Sequence, residues 1–187
     1  MADALKGLSV AILATNGVEQ IELVEPRRAV EDAGARTELI SLEPGTIQAM
    51  NADINLADEF SVDRAISTAS ADDYDALILP GGTVNPDGLR QSPEVITFIR
   101  AMVGAGKPVG AICHGPWTLV EADVVNGRTL TSYPSIRTDI KNAGGTVVDE
   151  EVVSDHGLVT SRGPDDLPAF CAKIVDEFAA HRDQQPA

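Results

Sequence analysis

Cysteine is scarce in this chain: 187 residues hold two, Cys113 and Cys171. Two thiols far apart in sequence do not make a disulfide scaffold, and free thiols suit a reducing cytoplasm. Basic residues are few as well. Against 29 acids stand 14 bases, a formal net charge of −15, which argues against a nucleic-acid or anionic-membrane surface. The acids are spread along the chain, with no acidic tail. No apolar run approaches the ~20 residues needed to cross a bilayer. Met1-Ala2-Asp3-Ala4-Leu5-Lys6 lacks a basic region leading into an apolar core of secretory length, so a cytoplasmic protein is expected. No pair of histidines or cysteines has zinc spacing. The first strand is followed by Thr15-Asn16-Gly17-Val18-Glu19, with one glycine and an acid where a phosphate loop needs several glycines. Neither metal nor nucleotide cofactor is expected. Repeats, low-complexity stretches and linkers are also missing.

What is present is ordinary globular composition, 43% hydrophobic and 23% charged, in a length that fits one domain over residues 1–187. Leu8 to Ala14 reads as a strand buried on both faces. A helix is expected from Glu19 to Ala33, with Ile21, Val24, Arg28 and Ala29 near helical spacing and Gly34 as its stop. Thr37 to Ser41 reads as a strand, and the less regular residues 43–70 are expected to hold a hairpin or an excursion around Asn51-Ala52-Asp53. Asp75 to Pro80 is another buried strand. Ser92 caps a helix with Pro93 at its first position, running to about Val103. After a strand at residues 108–112 come short strands at 129–132, 146–148, 152–154 and 158–161. Helices are expected at 135–142 and from Pro164 to about Ala180, with a frayed tail over 181–187. Alternating strands and helices imply a mainly parallel sheet. The expected fold is an α/β flavodoxin-like three-layer sandwich, whose sites form at the carboxyl ends of strands. Three loops fall there: Thr15 to Glu22, Gly81 to Asp87, and Cys113-His114.

The third of these is the most telling. An apolar run from Pro108 to Ile112 ends in Cys113-His114-Gly115-Pro116, the pattern of a buried strand turning sharply into a helix. A nucleophile at such an elbow stands at the sheet's carboxyl edge, beside the N–H groups that open the helix. A free thiol titrates near 8.5, and helix N–H groups with a nearby imidazolium can lower that by roughly 3 units, about 4 kcal/mol. Free cysteines also serve as small buried hydrophobes; the corner setting favours the nucleophile. Cys171 reads as buried and inert.

His114 is either a packing residue or, with its ring folded back at the corner, a partner of Cys113. His156 and His181 read as solvated. Gly81-Gly82 forms a tight turn whose N–H groups can also serve as an oxyanion hole. Glu19 and Glu22 either complement the helix dipole or reach the central cleft.

Taken together, Gly17-Val18-Glu19-Gln20-Ile21-Glu22, Leu79-Pro80-Gly81-Gly82, Ala111-Ile112-Cys113-His114-Gly115-Pro116, Thr131-Ser132-Tyr133-Pro134 and Val159-Thr160-Ser161-Arg162 resemble the PfpI-like proteins of the DJ-one/PfpI superfamily, within the class I glutamine-amidotransferase-like group. Gly127-Arg128, Asn142-Ala143-Gly144 and Pro164-Asp165-Asp166-Leu167-Pro168-Ala169-Phe170 extend the likeness over nearly the whole chain. The resemblance implies Cys113 as the reactive cysteine, Glu22 as the acid against its sulfur and His114 as the histidine of the protease-type branch. It implies a third, acidic residue from a neighbouring subunit, for which Asp87 is the candidate, and hence a homodimer or larger homo-oligomer. The implied function is a stress-protective cysteine enzyme acting on reactive dicarbonyls or early glycation adducts. An intracellular cysteine peptidase, or a redox-sensing chaperone without enzymatic activity, is the alternative. Partners would be small carbonyl compounds or glycated or peptide substrates, with no membrane or specific nucleic acid.

Overall fold

The structure is a computed structural model describing residues 3–184. Along the chain run β1 (Ser9–Leu13), β2 (Val18–Glu19), α1 (Gln20–Asp32), β3 (Arg36–Ser41), β4 (Thr46–Asn51), β5 (Asn55–Ser61) and β6 (Arg64–Ala65). Then come β7 (Ala76–Leu79), α2 (Val84–Leu89), α3 (Pro93–Gly104), β8 (Val109–Ile112) and α4 (Pro116–Glu121). The last third holds β9 (Thr129–Leu130), α5 (Arg137–Asn142), β10 (Thr146–Val147), β11 (Val152–Asp155), β12 (Leu158–Ser161) and α6 (Leu167–Gln184).

Seven strands form the central sheet in the order β11-β12-β8-β7-β1-β3-β6. All neighbours pair in parallel except β11, which returns antiparallel on β12. Successive side chains of a strand point to opposite faces, and β1 shows the consequence. Val10 and Ile12 pack with Leu23 and Val30 of α1 and Phe170, Ile174 and Phe178 of α6. Ala11 and Leu13 join Val95, Phe98, Ile99 and Met102 of α3 with Leu119 of α4 on the other side. Two apolar layers thus sandwich the sheet, each fully buried Leu, Ile or Phe contributing roughly 1.5–3 kcal/mol. This is the expected three-layer α/β arrangement. Its central order, β3-β1-β7-β8-β12, reverses direction between β1 and β7, which opens a crevice at their carboxyl ends.

The Asn51-Ala52-Asp53 hairpin forms between β4 and β5. Ser92 caps α3, its hydroxyl accepting from the Val95 N–H at 3.4 Å. Three local expectations need correction. The buried side of α1 is Glu22, Leu23, Pro26 and Val30, whereas Ile21 is exposed; an apolar tally puts the carboxylate outside, and the fold puts it inside. The end of the chain does not fray at residue 181: α6 continues to Gln184, and Arg182 donates to the Ala4 carbonyl at 2.7 Å. Residues 185–187 of that tail lie outside the described residues. Cys171 is only half-buried, because its position on α6 sits at the edge of the apolar layer.

Candidate active site

Three strand ends meet at Cys113. The backbone of Cys113 has φ 61, a left-handed conformation that costs a non-glycine residue of order 1–3 kcal/mol. The surroundings hold it there. Cys113 N–H donates to Ser161 O at 3.1 Å, Tyr133 N–H donates to Cys113 O at 2.9 Å, and Gly115 N–H closes on Ile112 O at 2.8 Å. The elbow expected between β8 and α4 is therefore real, and the side chain it presents is 6% exposed.

Beside it, from the first turn of α1, lies Glu22, a fully buried carboxyl. Its Oε2 accepts the Gly81 N–H at 2.9 Å, while Oε1 is buried with no other hydrogen-bond partner and the side chain lies within reach of Cys113. Burial pushes this carboxyl up to about 8, with the charge of Glu19 adding to the rise; the Cys113 and Gly81 hydrogen bonds only partly offset it. At neutral pH Glu22 is an acid, not a carboxylate. Its proton belongs on Oε1, since Oε2 is already an acceptor.

Burial also pushes the Cys113 thiol up, and an ionised Glu22 would push it further; the backbone N–H groups of Gly82 and His114 pull the other way. The depressed thiol expected from a helix N-terminus is thus corrected: α4 is a helix of six residues, and loss of hydration outweighs its N–H groups. Two acidic groups in one dry pocket titrate as a pair, and the first negative charge opposes the second.

Gly81 is obligatory in this packing. A Cβ there would stand 2.4 Å from Glu22 Oε2 and 2.6 Å from Cys113 Cβ. Of the two N–H groups expected in an oxyanion hole, that of Gly81 is engaged by Glu22, and that of Gly82 is turned to the sulfur.

His114 does fold back. Its Nδ1 lies 3.2 Å from Cys113 Sγ and its Nε2 3.0 Å from Ser135 Oγ. The ring is 5% exposed and stacks on Tyr133 with centroids 4.4 Å apart. Burial lowers its pKa, partly offset by the charge of Asp53, so the imidazole is neutral at pH 7. With the Nε2 proton donated to Ser135, Nδ1 carries the lone pair that faces the thiol. The expected carboxylate on this ring is therefore replaced, within the chain, by a hydroxyl. Asp87 is exposed on α2, and the chain does not by itself bring it to His114. His156 is exposed and pairs with Asp155.

Four residues of the site escaped the sequence reading. Ser135 and Tyr133 position His114. Asp53 was seen only as part of a turn. Asn85, fully buried, accepts from Thr15 N–H at 2.8 Å and donates to the Pro80 and Gly81 carbonyls at 3.1 and 2.9 Å, stitching the loop after β1 to the loop after β7. An amide between two glycine-bearing loops was the one available signal for Asn85.

Beyond Tyr133 opens a groove of ≈ 350 Å³ bordered by Pro134, Arg137, Asp149, Arg162 and Asp166. Its arginines are tied to Asp149 and Asp166. Among the described residues no cluster of three or more His, Cys, Asp or Glu is arranged to hold a metal ion. No described helix is long and apolar enough to cross a membrane.

The model of the DJ-1/PfpI family matches residues 8–177. The chain belongs to that family. It is 42% identical over 163 residues to Protein/nucleic acid deglycase 2 of Escherichia coli, covering 86% of this chain and 92% of that one. General stress protein 18 of Bacillus subtilis is 42% identical over 166 residues, covering 88% and 94%. YraA of the same organism, 44% identical over 161 residues with 86% and 92% covered, has a name that provisionally calls it a cysteine protease. Among solved structures, Drosophila melanogaster DJ-1beta superposes with a TM-score of 0.82 at 28% identity, covering 96% of this chain and 91% of that one.

Proposed function

We propose that this protein is a cysteine-dependent stress-protective enzyme that attacks small reactive dicarbonyls, or the early adducts they leave on amines, through Cys113. One observation carries the reading: the Cys113 sulfur lies between a neutral imidazole nitrogen at 3.2 Å and a buried carboxyl held protonated. A base on one side and an acid on the other is what addition of a thiol to a carbonyl requires.

With methylglyoxal the steps balance as follows. His114 Nδ1 takes the thiol proton as sulfur bonds to the aldehyde carbon. The carbonyl π pair moves to oxygen, which takes the Glu22 proton and gives a hemithioacetal. The Glu22 carboxylate then removes the proton from that carbon and returns it to the neighbouring carbon by way of an enediol. This converts the adduct to the cysteine thioester of lactate, and water hydrolyses the thioester to lactate and free thiol. Only water is consumed, so the route calls on no cofactor. The Gly82 N–H, turned to the sulfur, supports negative charge as it develops there.

The names of the deglycase and general stress relatives support this class of chemistry. Asp87, exposed on α2, is left in this reading for a second copy of the chain, which would bring it to the Ser135 side of His114. The test is conversion of methylglyoxal to lactate by the purified protein, with Cys113→Ala as the control. Lactate formation lost in the variant supports the proposal. Cleavage of a peptide bond without loss of any carbonyl adduct would make the protein a peptidase, and no turnover of either substrate would leave a redox-sensing role.

A further inference from the structure

The turn between β4 and β5 has no glycine, yet Ala52 and Asp53 both adopt positive φ, 53 and 64. Such turns are normally made by Gly or Asn, so something outside the turn must hold this one. Two carboxylates do. Glu19 accepts the Ala52 and Asp53 N–H groups at 3.1 and 3.3 Å. Asp53 in turn reaches across to the loop after β7, where its Oδ1 accepts the Thr83 N–H at 2.7 Å and its Oδ2 the Thr83 hydroxyl at 3.0 Å. Thr83 directly follows Gly81, which holds Glu22, and Gly82, whose N–H faces the sulfur. The hairpin tip is thereby fastened to the loop that carries half of the site.

We propose that Asp53 is a positioning residue of the cysteine site, its carboxylate tying the hairpin to the Gly81–Thr83 loop and placing an uncompensated negative charge near the Glu22–Cys113 pair. The proposal rests on Cys113 as the reactive residue but not on any substrate. The charged and titratable groups around the pair are Glu19 from the start of α1, Asp53 from the hairpin and His114 from the elbow. The ion pairs of the described residues include neither Glu19, Glu22 nor Asp53. The negative charge of Asp53 is thus not cancelled locally. It opposes ionisation of Glu22 and favours a proton on His114. Both effects keep protons in the site.

The test is the pH profile of Cys113 alkylation by iodoacetamide, followed by mass spectrometry, in the wild-type chain and three variants. Asp53→Asn keeps an acceptor for the Thr83 N–H and removes the charge. Asp53→Gly suits the left-handed backbone and also removes the charge, so the question stays open to test should the first variant fold poorly. Thr83→Val removes the hydroxyl tether and keeps the charge. The expected result is that both Asp53 variants shift the alkylation midpoint to higher pH by about half a unit, because Glu22 then ionises more readily beside the thiol and the proton on His114 is less favoured. Thr83→Val should change the rate at every pH and leave the midpoint in place. Coincident midpoints in wild type and both Asp53 variants overturn the proposal, as does an equal shift in Thr83→Val. A wild-type Cys113 that never alkylates in the folded protein would instead overturn the reading of the site itself.

Discussion

Cys113 Sγ lies 3.2 Å from Nδ1 of the very next residue, His114. Neighbours in sequence seldom face each other in regular structure, since strands turn them to opposite faces and helices set them about 100° apart. The contact exists because Cys113 takes φ 61 at the elbow. Backbone strain at one residue is thereby converted into a base held against a nucleophile.

The buried acid gives a pH signature. Glu22 rises from an ordinary 4.5 to about 8 in the fold, so between those values the native state holds a proton that the unfolded chain has released. Stability therefore falls as pH rises through that window. Glu22→Gln stays neutral at every pH and keeps an oxygen for the Gly81 N–H. It should gain stability relative to wild type between about pH 4.5 and 8, by up to a few kcal/mol, while losing roughly 10²–10⁴ in turnover of methylglyoxal. Urea denaturation at several pH values reads the first effect. Parallel stability curves for the two proteins would place the Glu22 carboxyl in a hydrated setting.

Thiol labelling separates the two cysteines. Burial, with the charge of Glu25, pushes Cys171 up to about 11, and Cys171 is the more accessible of the two. Accessibility alone would favour Cys171. With His114 Nδ1 ready to take its proton, Cys113 should nevertheless alkylate faster near pH 7, and His114→Gln should abolish that advantage. Equal labelling of both thiols in the folded protein would show that the imidazole does not act on Cys113.

The hydroxyl on the far side of the imidazole has a measurable share. Ser135→Ala removes the partner at 3.0 Å from Nε2 and frees the ring to turn or change tautomer. A hydrogen bond of this kind contributes about 1 kcal/mol, so turnover should fall about fivefold, and Ser135→Thr should restore it. His114→Gln should cost roughly 10²–10⁴. A Ser135→Ala enzyme with an unchanged rate and pH profile would mean that Tyr133 stacking alone orients the ring.

Much of this was legible in the sequence, and the exceptions share a cause. The β8 elbow could be read because a run of buried residues cannot pass through Gly-Pro without turning. The sheet could be read because β7, β8 and all of β1 beyond Ser9 lack polar side chains, which only strands covered on both faces tolerate. Glu22 was harder. A helix reading sorts residues by polarity, and it assigned Ile21 to the core where the fold buries the neighbouring carboxyl at an apparent cost in hydration. Asp53 and Ser135 lie far from Cys113 in sequence and come to its neighbours Thr83 and His114 through a hairpin and a short helical turn. No local pattern encodes such distant approaches. The thiol's own acidity was misjudged for a related reason, since N–H groups are visible as a motif whereas the degree of burial is set by all the loops together.

Assembly bears on the third member of the triad. Among the described residues of one chain the Nε2 end of His114 meets only the hydroxyl of Ser135, which is exposed, and burial keeps the ring neutral. A neutral imidazole can accept the thiol proton, but the imidazolium that results has little to stabilise it beyond the thiolate and the charge of Asp53. A carboxylate arriving from a second subunit at that exposed end would hold the charged ring, as the acid of a triad does. Asp87, exposed on α2, is the residue proposed to arrive there. Asp87→Asn should then lower kcat about tenfold, the scale of one charge-assisted hydrogen bond, without moving the unfolding midpoint. The same loss should accompany dilution below the dissociation constant of the oligomer, with sedimentation velocity and activity measured at matched concentrations. A monomer with full activity would rule the arrangement out and leave the Ser135 hydroxyl as the partner of Nε2.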